Sequence, residues 1–148
     1  EVANEIASFQ PDAVFIDAGR GEGVIDRLRS LGFDVLEVNF GGKPLSDHYR
    51  NKRVEMWDSM REWLEAGGVL PDDAVLMQDL CAPTYTYKNA SGKKEMESKD
   101  AMKERGMRSP DLADALALTF ASPVAPKDID RLGNQATQVT EYDYDPFA

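Results

Sequence analysis

Three observations predict an α/β fold. The first is a continuous apolar run ending in an acid, Asp12-Ala13-Val14-Phe15-Ile16-Asp17. The second is an amphipathic segment directly after it, and the third is another run rich in β-formers, from Asp34 to Phe40. A continuous apolar run reads as a strand buried on both faces. Val24, Ile25, Leu28 and Leu31 mark one helix face between the two runs, and Gly32 stops the helix. So short a unit suits a right-handed crossover between parallel strands, with Asp17 and Phe40 at the same carboxyl edge. Open α/β sheets bind ligands at that edge. The expected architecture is a parallel strand-helix-strand core with a lysine-rich β-hairpin and flanking helices.

The remaining elements follow in order. Val2, Ile6 and Phe9 have helical spacing, so residues 1–10 read as the end of a helix that leads into the first strand at Pro11. Gly41-Gly42-Lys43-Pro44 is a loop at the sheet edge. Ser46 or Asp47 then caps a long helix that runs to about Ala66 and closes at Gly67-Gly68. Tyr49, Met56, Trp57, Met60, Trp63 and Leu64 form its apolar stripe, which reads as core. Arg50, Lys52 and Arg53 lie near its start and are either a solvated face or phosphate contacts. A short helix spans Pro71 to Leu80, opening with Asp72-Asp73. Thr84 to Lys88 and Lys93 to Glu97 make a hairpin with lysines at its tip, and a charged helix follows from Ser98-Lys99 to Gly106. Ser109-Pro110-Asp111 is a strong helix start, with Ser109 as N-cap, and that helix runs to about Ala121. From Ser122 onward core periodicity ends. Residues 1–121 therefore read as one α/β domain and 122–148 as an acidic C-terminal tail awaiting a partner.

The 148 residues allow one domain with a reasonable core. No apolar run reaches the roughly 18 residues of a membrane span, and the acidic start is unlike a signal peptide, so a soluble intracellular protein is expected. A single cysteine, Cys81, and a single histidine, His48, argue against a zinc site or a Cys/His catalytic pair. Oxygen-ligand chemistry remains. The net charge of −10 argues against nucleic acid, yet Thr84 to Arg108 holds seven basic residues against four acidic ones. A basic patch on an acidic protein follows.

Two constellations bear on function. Asp17 ends a strand, while Asp111 and Asp114 open a late helix three residues apart, on one side of it. If the helix packs beside the strand end, the carboxylates converge, and converging carboxylates call for a cation. Mg²⁺ or Mn²⁺, which take oxygen ligands and bind phosphate, fit best. The alternative is structural: Asp17 caps the turn and Asp111 serves its helix dipole. The second constellation, Gly19-x-Gly21-x-Gly23, lacks the spacing of a dinucleotide fingerprint and a Walker lysine. Its glycines read as turn residues that give close backbone approach beside Asp17, with a nucleotide-binding α/β domain as the other reading.

A set of segments in order carries a family resemblance. They are Phe15-Ile16-Asp17 with its glycines, Val38-Asn39-Phe40-Gly41-Gly42, Tyr49 to Trp57 (YRNKRVEMW), Glu97-Ser98-Lys99-Asp100 and Ser109 to Leu116 (SPDLADAL). Up to about Pro126, the chain resembles the nuclease domain of tailed-bacteriophage large terminase subunits, the motors that cut and package concatemeric DNA. The resemblance implies an RNase H-like fold, here partial, and an endonuclease that cuts double-stranded DNA with Mg²⁺ or Mn²⁺ in the cytoplasm of a bacterial host. Asp17 matches the family's second acid and Asp111 its third, with Asp114 close enough to assist or to be the true ligand.

The strand that would carry the family's first acid, and the ATPase domain, have no counterpart in these residues. The chain therefore looks like the C-terminal part of a terminase, whose expected metal binding is weak and whose cleavage is impaired. Arg53, Lys93, Lys94 and Lys99 are the candidate DNA contacts, and portal protein or other terminase subunits are implied partners. An uncovered sheet edge would favour self-association. The main alternative is a non-catalytic prophage remnant or a portal-docking module working through the acidic tail.

Overall fold

The computed structural model describes residues 1–88, 91–129 and 135–136. Its organising unit is β1 (Phe15–Asp17), α2 (Ala18–Ser30) and β2 (Leu36–Val38), preceded by α1 (Val2–Phe9). The two strands pair in parallel, Phe15 with Leu36, Ile16 with Glu37 and Asp17 with Val38, so both carboxyl ends lie on one edge as expected. The strands are shorter than the apolar runs. Asp12 and Val14 precede β1, although the Val14 carbonyl still accepts from Leu36 N at 2.8 Å.

Successive residues of β1 serve different cores, as the two-residue period of a strand requires. Phe15 packs on a cluster of Val38, Met56, Met60, Ala117 and Ala121. Ile16 and Val14 pack on a second cluster of Ile25, Leu28 and Val35, which Ile6 of α1 also joins. Of the three apolar positions expected to mark α1, Phe9 is 82% exposed, and no residue of that helix is fully buried.

The long helix is α3 (Lys52–Glu65), and it begins later than Ser46 or Asp47 would have it. Asn51 is its cap, accepting from Val54 N at 3.1 Å. The reason lies in Glu55, whose buried carboxylate accepts Leu45 N (3.1 Å), Ser46 N (2.9 Å) and Lys52 Nζ (2.9 Å). Burial alone would raise the pKa of Glu55, but these bonds outweigh it and hold the group below its ordinary value. The segment before Asn51 is thus tied down as a loop. Met56 and Met60 are fully buried, Trp57 is half-buried, and Trp63 tilts against Phe120 with ring centroids 5.7 Å apart.

Beyond it come α4 (Ala74–Cys81), the hairpin β3 (Tyr85–Tyr87) and β4 (Lys94–Met96), α5 (Lys99–Glu104) and α6 (Asp111–Leu118). Asp73 caps α4 and Ser98 caps α5. The hairpin pairs Tyr85 with Met96 and Tyr87 with Lys94. It is extended by residues 48–50, since Lys94 N donates to His48 O (2.8 Å) and Arg50 N to Lys94 O (2.9 Å). Lys127 then anchors the following segment to the start of β1, through Asp12 Oδ1 (2.8 Å) and Pro11 O (2.6 Å). A short antiparallel pair, β5 (Asp128–Ile129) and β6 (Gln135–Ala136), ends the description. The rest of the expected tail, including Tyr142 to Phe147, and the expected turn residues Asn89 and Ala90 lie outside the described residues. Among the described residues no helix is long and apolar enough to cross a membrane.

Candidate functional site

A cleft at the carboxyl edge of β1 is lined by Asp17, Phe40, Arg53, Lys99, Ser109 and Asp111, with Lys103 beside them. Asp17 reaches it as the last residue of β1 and also caps α2, since its Oδ1 accepts Gly19 N at 3.1 Å. The structural and the ligand readings therefore coexist in one carboxylate. Among the described residues Oδ2 receives no hydrogen bond.

Asp111 comes from the first residue of α6, and its side chain is 79% exposed. The helix does not start as the Ser-Pro-Asp motif predicts. Pro110 occupies the cap position and no side chain of α6's own start caps it. The cap comes from α4 instead: Asp79, 1% exposed, accepts Leu112 N at 3.0 Å while Arg108 Nη2 holds its other oxygen at 2.7 Å. A carboxylate among the mostly apolar residues Ala74 to Leu80 is the available sequence signal for this role.

Asp114 is separated from Asp111 by its surroundings. It is 4% exposed, and its Oδ1 accepts both Arg53 Nε (2.9 Å) and Trp57 Nε1 (2.8 Å). Arg53 and Trp57 lie one helical turn apart on α3, a spacing that places both on one face. Lys99 Nζ stands 2.8 Å from Asp114 Oδ2 and 3.9 Å from Asp111 Oδ1, so it bridges the two acids. The shorter contact is Coulombic rather than an aligned hydrogen bond, and Arg53 Nη2 likewise meets no acceptor among the described residues. Of the three expected metal-binding acids, two line the cleft and the third is held behind it. Among the described residues no three His, Cys, Asp or Glu side chains group closely enough to hold a metal.

The four expected DNA contacts divide in the same way. Arg53 is buried against Asp114, and Lys94 is buried in an ion pair with Asp58. Lys93 and Lys99 remain accessible, and Lys103 joins Lys99 at the cleft.

The glycines after Asp17 do not form a turn, because α2 begins immediately at Ala18. Gly21 is a packing glycine: a Cβ there would stand 2.8 Å from Ile16 Cγ2, whereas at Gly23 it would meet nothing within 4 Å. Alanine at either position gains up to about 1 kcal/mol of helix propensity. At Gly21 the clash with a stiff β-branched side chain costs about 1–3 kcal/mol and wins. Gly23→Ala is thus expected to raise the melting temperature and Gly21→Ala to lower it, as a paired thermal melt would show.

A second polar cluster fixes the hairpin relative to α5. Glu97 accepts from Arg105 Nε (2.7 Å) and Nη2 (2.6 Å) and from Thr84 N (3.3 Å), while Arg105 Nη2 also reaches Ala82 O (3.0 Å). The Arg105 guanidinium draws the Glu97 pKa from 4.5 down to about 2. Because the folded value is depressed, the stabilisation is complete above the unfolded pKa and fades as pH falls toward the folded one. The difference in melting temperature between the wild type and Glu97→Gln should be constant above about pH 5 and close toward about pH 2. A gap that stays open at the acid end would exclude this pair as the cause.

No protein-family model matches the sequence, and no curated protein does. The fold does have solved counterparts. The nuclease domain of the large terminase subunit gp2 of bacterial virus Sf6 superposes with a TM-score of 0.64 at 20% identity, over 82% of this chain and 70% of that one. A mutant of that domain solved with manganese gives a TM-score of 0.65 at 21% identity, with the same coverage. A mutant solved with calcium gives 0.62 at 20% identity. With parallel β1 and β2 flanked by helices and the antiparallel hairpin beyond them, the chain has the RNase H-like fold of the terminase nuclease domain.

Proposed function

We propose that the chain is a metal-dependent endonuclease module of a phage DNA-packaging terminase, acting on concatemeric double-stranded DNA. The observation that carries this reading is the cleft itself: Asp17 and Asp111, from elements distant in sequence, line one wall system with Lys99 and Lys103. The donor set suits a hard divalent cation, for both acids present carboxylate oxygens and the Asp111 side chain is open to solvent. Bound there, Mg²⁺ or Mn²⁺ would supply Lewis acidity toward a phosphodiester oxygen. Asp17 and Asp111 would hold it, Lys99 and Lys103 would attract the backbone phosphate, and Lys93 on the hairpin would extend the contact along the duplex. Solved relatives of the fold carrying manganese and calcium support the choice of ion. Portal protein or other terminase subunits are the proposed protein partners.

Two carboxylates make a weak site, so the 148 residues should bind Mn²⁺ weakly and cut little. The test is Mn²⁺ titration with amide resonances as readout, beside a supercoiled-plasmid assay. Line broadening near Asp17 and Asp111 should occur at millimolar metal and vanish in Asp17→Asn and Asp111→Asn. If the metal leaves the cleft unperturbed, the metal assignment fails. Robust cleavage abolished by Asp17→Asn would instead overturn the expected impairment. The second reading, a non-catalytic remnant or portal-docking module, is favoured because, among the described residues, two acids line the cleft. Partner capture that depends on residues after Asp128, without DNA binding, would select it.

A further inference from the structure

On the hairpin side of α3 lies a cavity of about 240 Å³ that shares no lining residue with the cleft. Trp57, Met60, Leu64, Leu80, Tyr85 and Met96 are among the apolar residues of its wall. Its polar part is a built cluster. Asp58, 8% exposed, accepts Tyr49 Oη on Oδ2 (2.9 Å) and Arg61 Nε on Oδ1 (2.9 Å), and Lys94 Nζ bonds to the same Oδ1. Arg61 is shared with Glu65 at 2.6 Å.

Lys94 is the unbalanced member of this cluster. An ammonium has three donors. Among the described residues Lys94 meets one hydrogen-bond acceptor, Asp58, and the face of the Tyr85 ring, 4.5 Å from its centroid. The residue is 9% exposed and lines the cavity, so water reaches it poorly from elsewhere. Asp58 already accepts three donors and does not need a fourth. The two remaining Lys94 donors therefore suit an acceptor within the cavity, preferably an anion, attached to a body that matches its aromatic and thioether walls. Small-molecule sites usually start at about 300 Å³. This one takes a single ring system rather than an extended ligand.

We propose that the cavity is a binding site for a small aromatic carboxylate, with the ring between Trp57, Tyr85 and the methionines and the carboxylate on Lys94. The site is separate from the nuclease reading and stands or falls without it.

Met60 and Met96 line the cavity while Met77 and Met102 do not, so methyl-labelled methionines give a local readout. Titration of the whole chain with indole-3-carboxylate should shift Met60 and Met96 and leave Met77 and Met102 in place. Indole-3-carboxamide, which has the same shape without the charge, should bind roughly tenfold more weakly or worse. Lys94→Met, which leaves Asp58 with Arg61 and Tyr49, should abolish the preference for the acid. Leu64→Trp keeps every charge, fills the cavity, and should abolish binding of both compounds. Equal affinity for acid and amide in the wild type would overturn the proposal, as would shifts absent from Met60 and Met96. If Lys94→Met fails to fold, the wild-type comparison of acid with amide decides alone.

Discussion

Asp114→Ala is expected to destabilise the protein by about 3–5 kcal/mol, while Asp111→Ala changes stability by less than about 0.5 kcal/mol. The two acids sit three residues apart on one helix, so the contrast is set by surroundings and not by position. Removing Asp114 strands the Arg53 guanidinium, which is 8% exposed and would keep a long contact to the Glu97 carbonyl at 3.4 Å and the Trp57 ring, 5.8 Å from its centroid. It also orphans Trp57 Nε1. A buried charge that loses its partner carries a desolvation penalty no rearrangement of exposed Lys99 relieves. Asp111 bears no such load. Its side chain lies in solvent, with Lys99 at 3.9 Å as its ion-pair contact. Urea denaturation of the two variants measures the difference, and replacing Arg53 and Asp114 together by Met and Leu should recover much of the loss. Similar stabilities for the two alanine variants would remove the distinction between a structural Asp114 and a cleft-facing Asp111.

Asp79→Ala is expected to cost roughly 2–4 kcal/mol. Loss of an N-cap typically removes about 1 kcal/mol, and loss of hydrogen bonds to a charged group about 1.5–3 kcal/mol. Arg108 limits the total, because its side chain is 52% exposed and regains water once released. The damage is concentrated at the first turn of α6, where Leu112 N would lose the acceptor that no residue of α6 supplies. Denaturation gives the energy, and faster amide exchange at Leu112 locates it. A loss below about 0.5 kcal/mol would mean that α6 starts without the help of α4. The consequence reaches the cleft, since Asp111 is the residue that the first turn carries.

Much of this arrangement is legible in the sequence because periodicity and glycine stops are local signals. The parallel pairing of β1 with β2 and the hairpin at Tyr85 and Met96 follow from such signals, whereas the presence of Asp17 and Asp111 at one cleft depends on how α6 packs. The misread features have causes distant in sequence. Ser109 yields its capping role to Asp79, 30 residues earlier, and Ser46 yields to Asn51 because Glu55 binds the loop backbone. Lys94 reads as a surface cation at a hairpin tip, yet Asp58, 36 residues earlier, draws it inward. Charge pairing across the fold has no period, so a count of lysines overstates what the surface offers to DNA. The Gly19-x-Gly21-x-Gly23 pattern shows the converse: its middle glycine answers to Ile16, five residues back, and to steric room rather than to a phosphate.

The three residues of β1 form a partition between two separately packed cores, with Phe15 pressed on one side and Ile16 on the other. Asp17 is the last residue of that partition, with α2 beginning directly after it. Its position is therefore a mechanical compromise between two packing problems, and a methylene added or removed on either side shifts the balance point. A change of bulk at Leu28 or Met60 is therefore expected to move Asp17 relative to Asp111, a calibration of distance carried by packing alone.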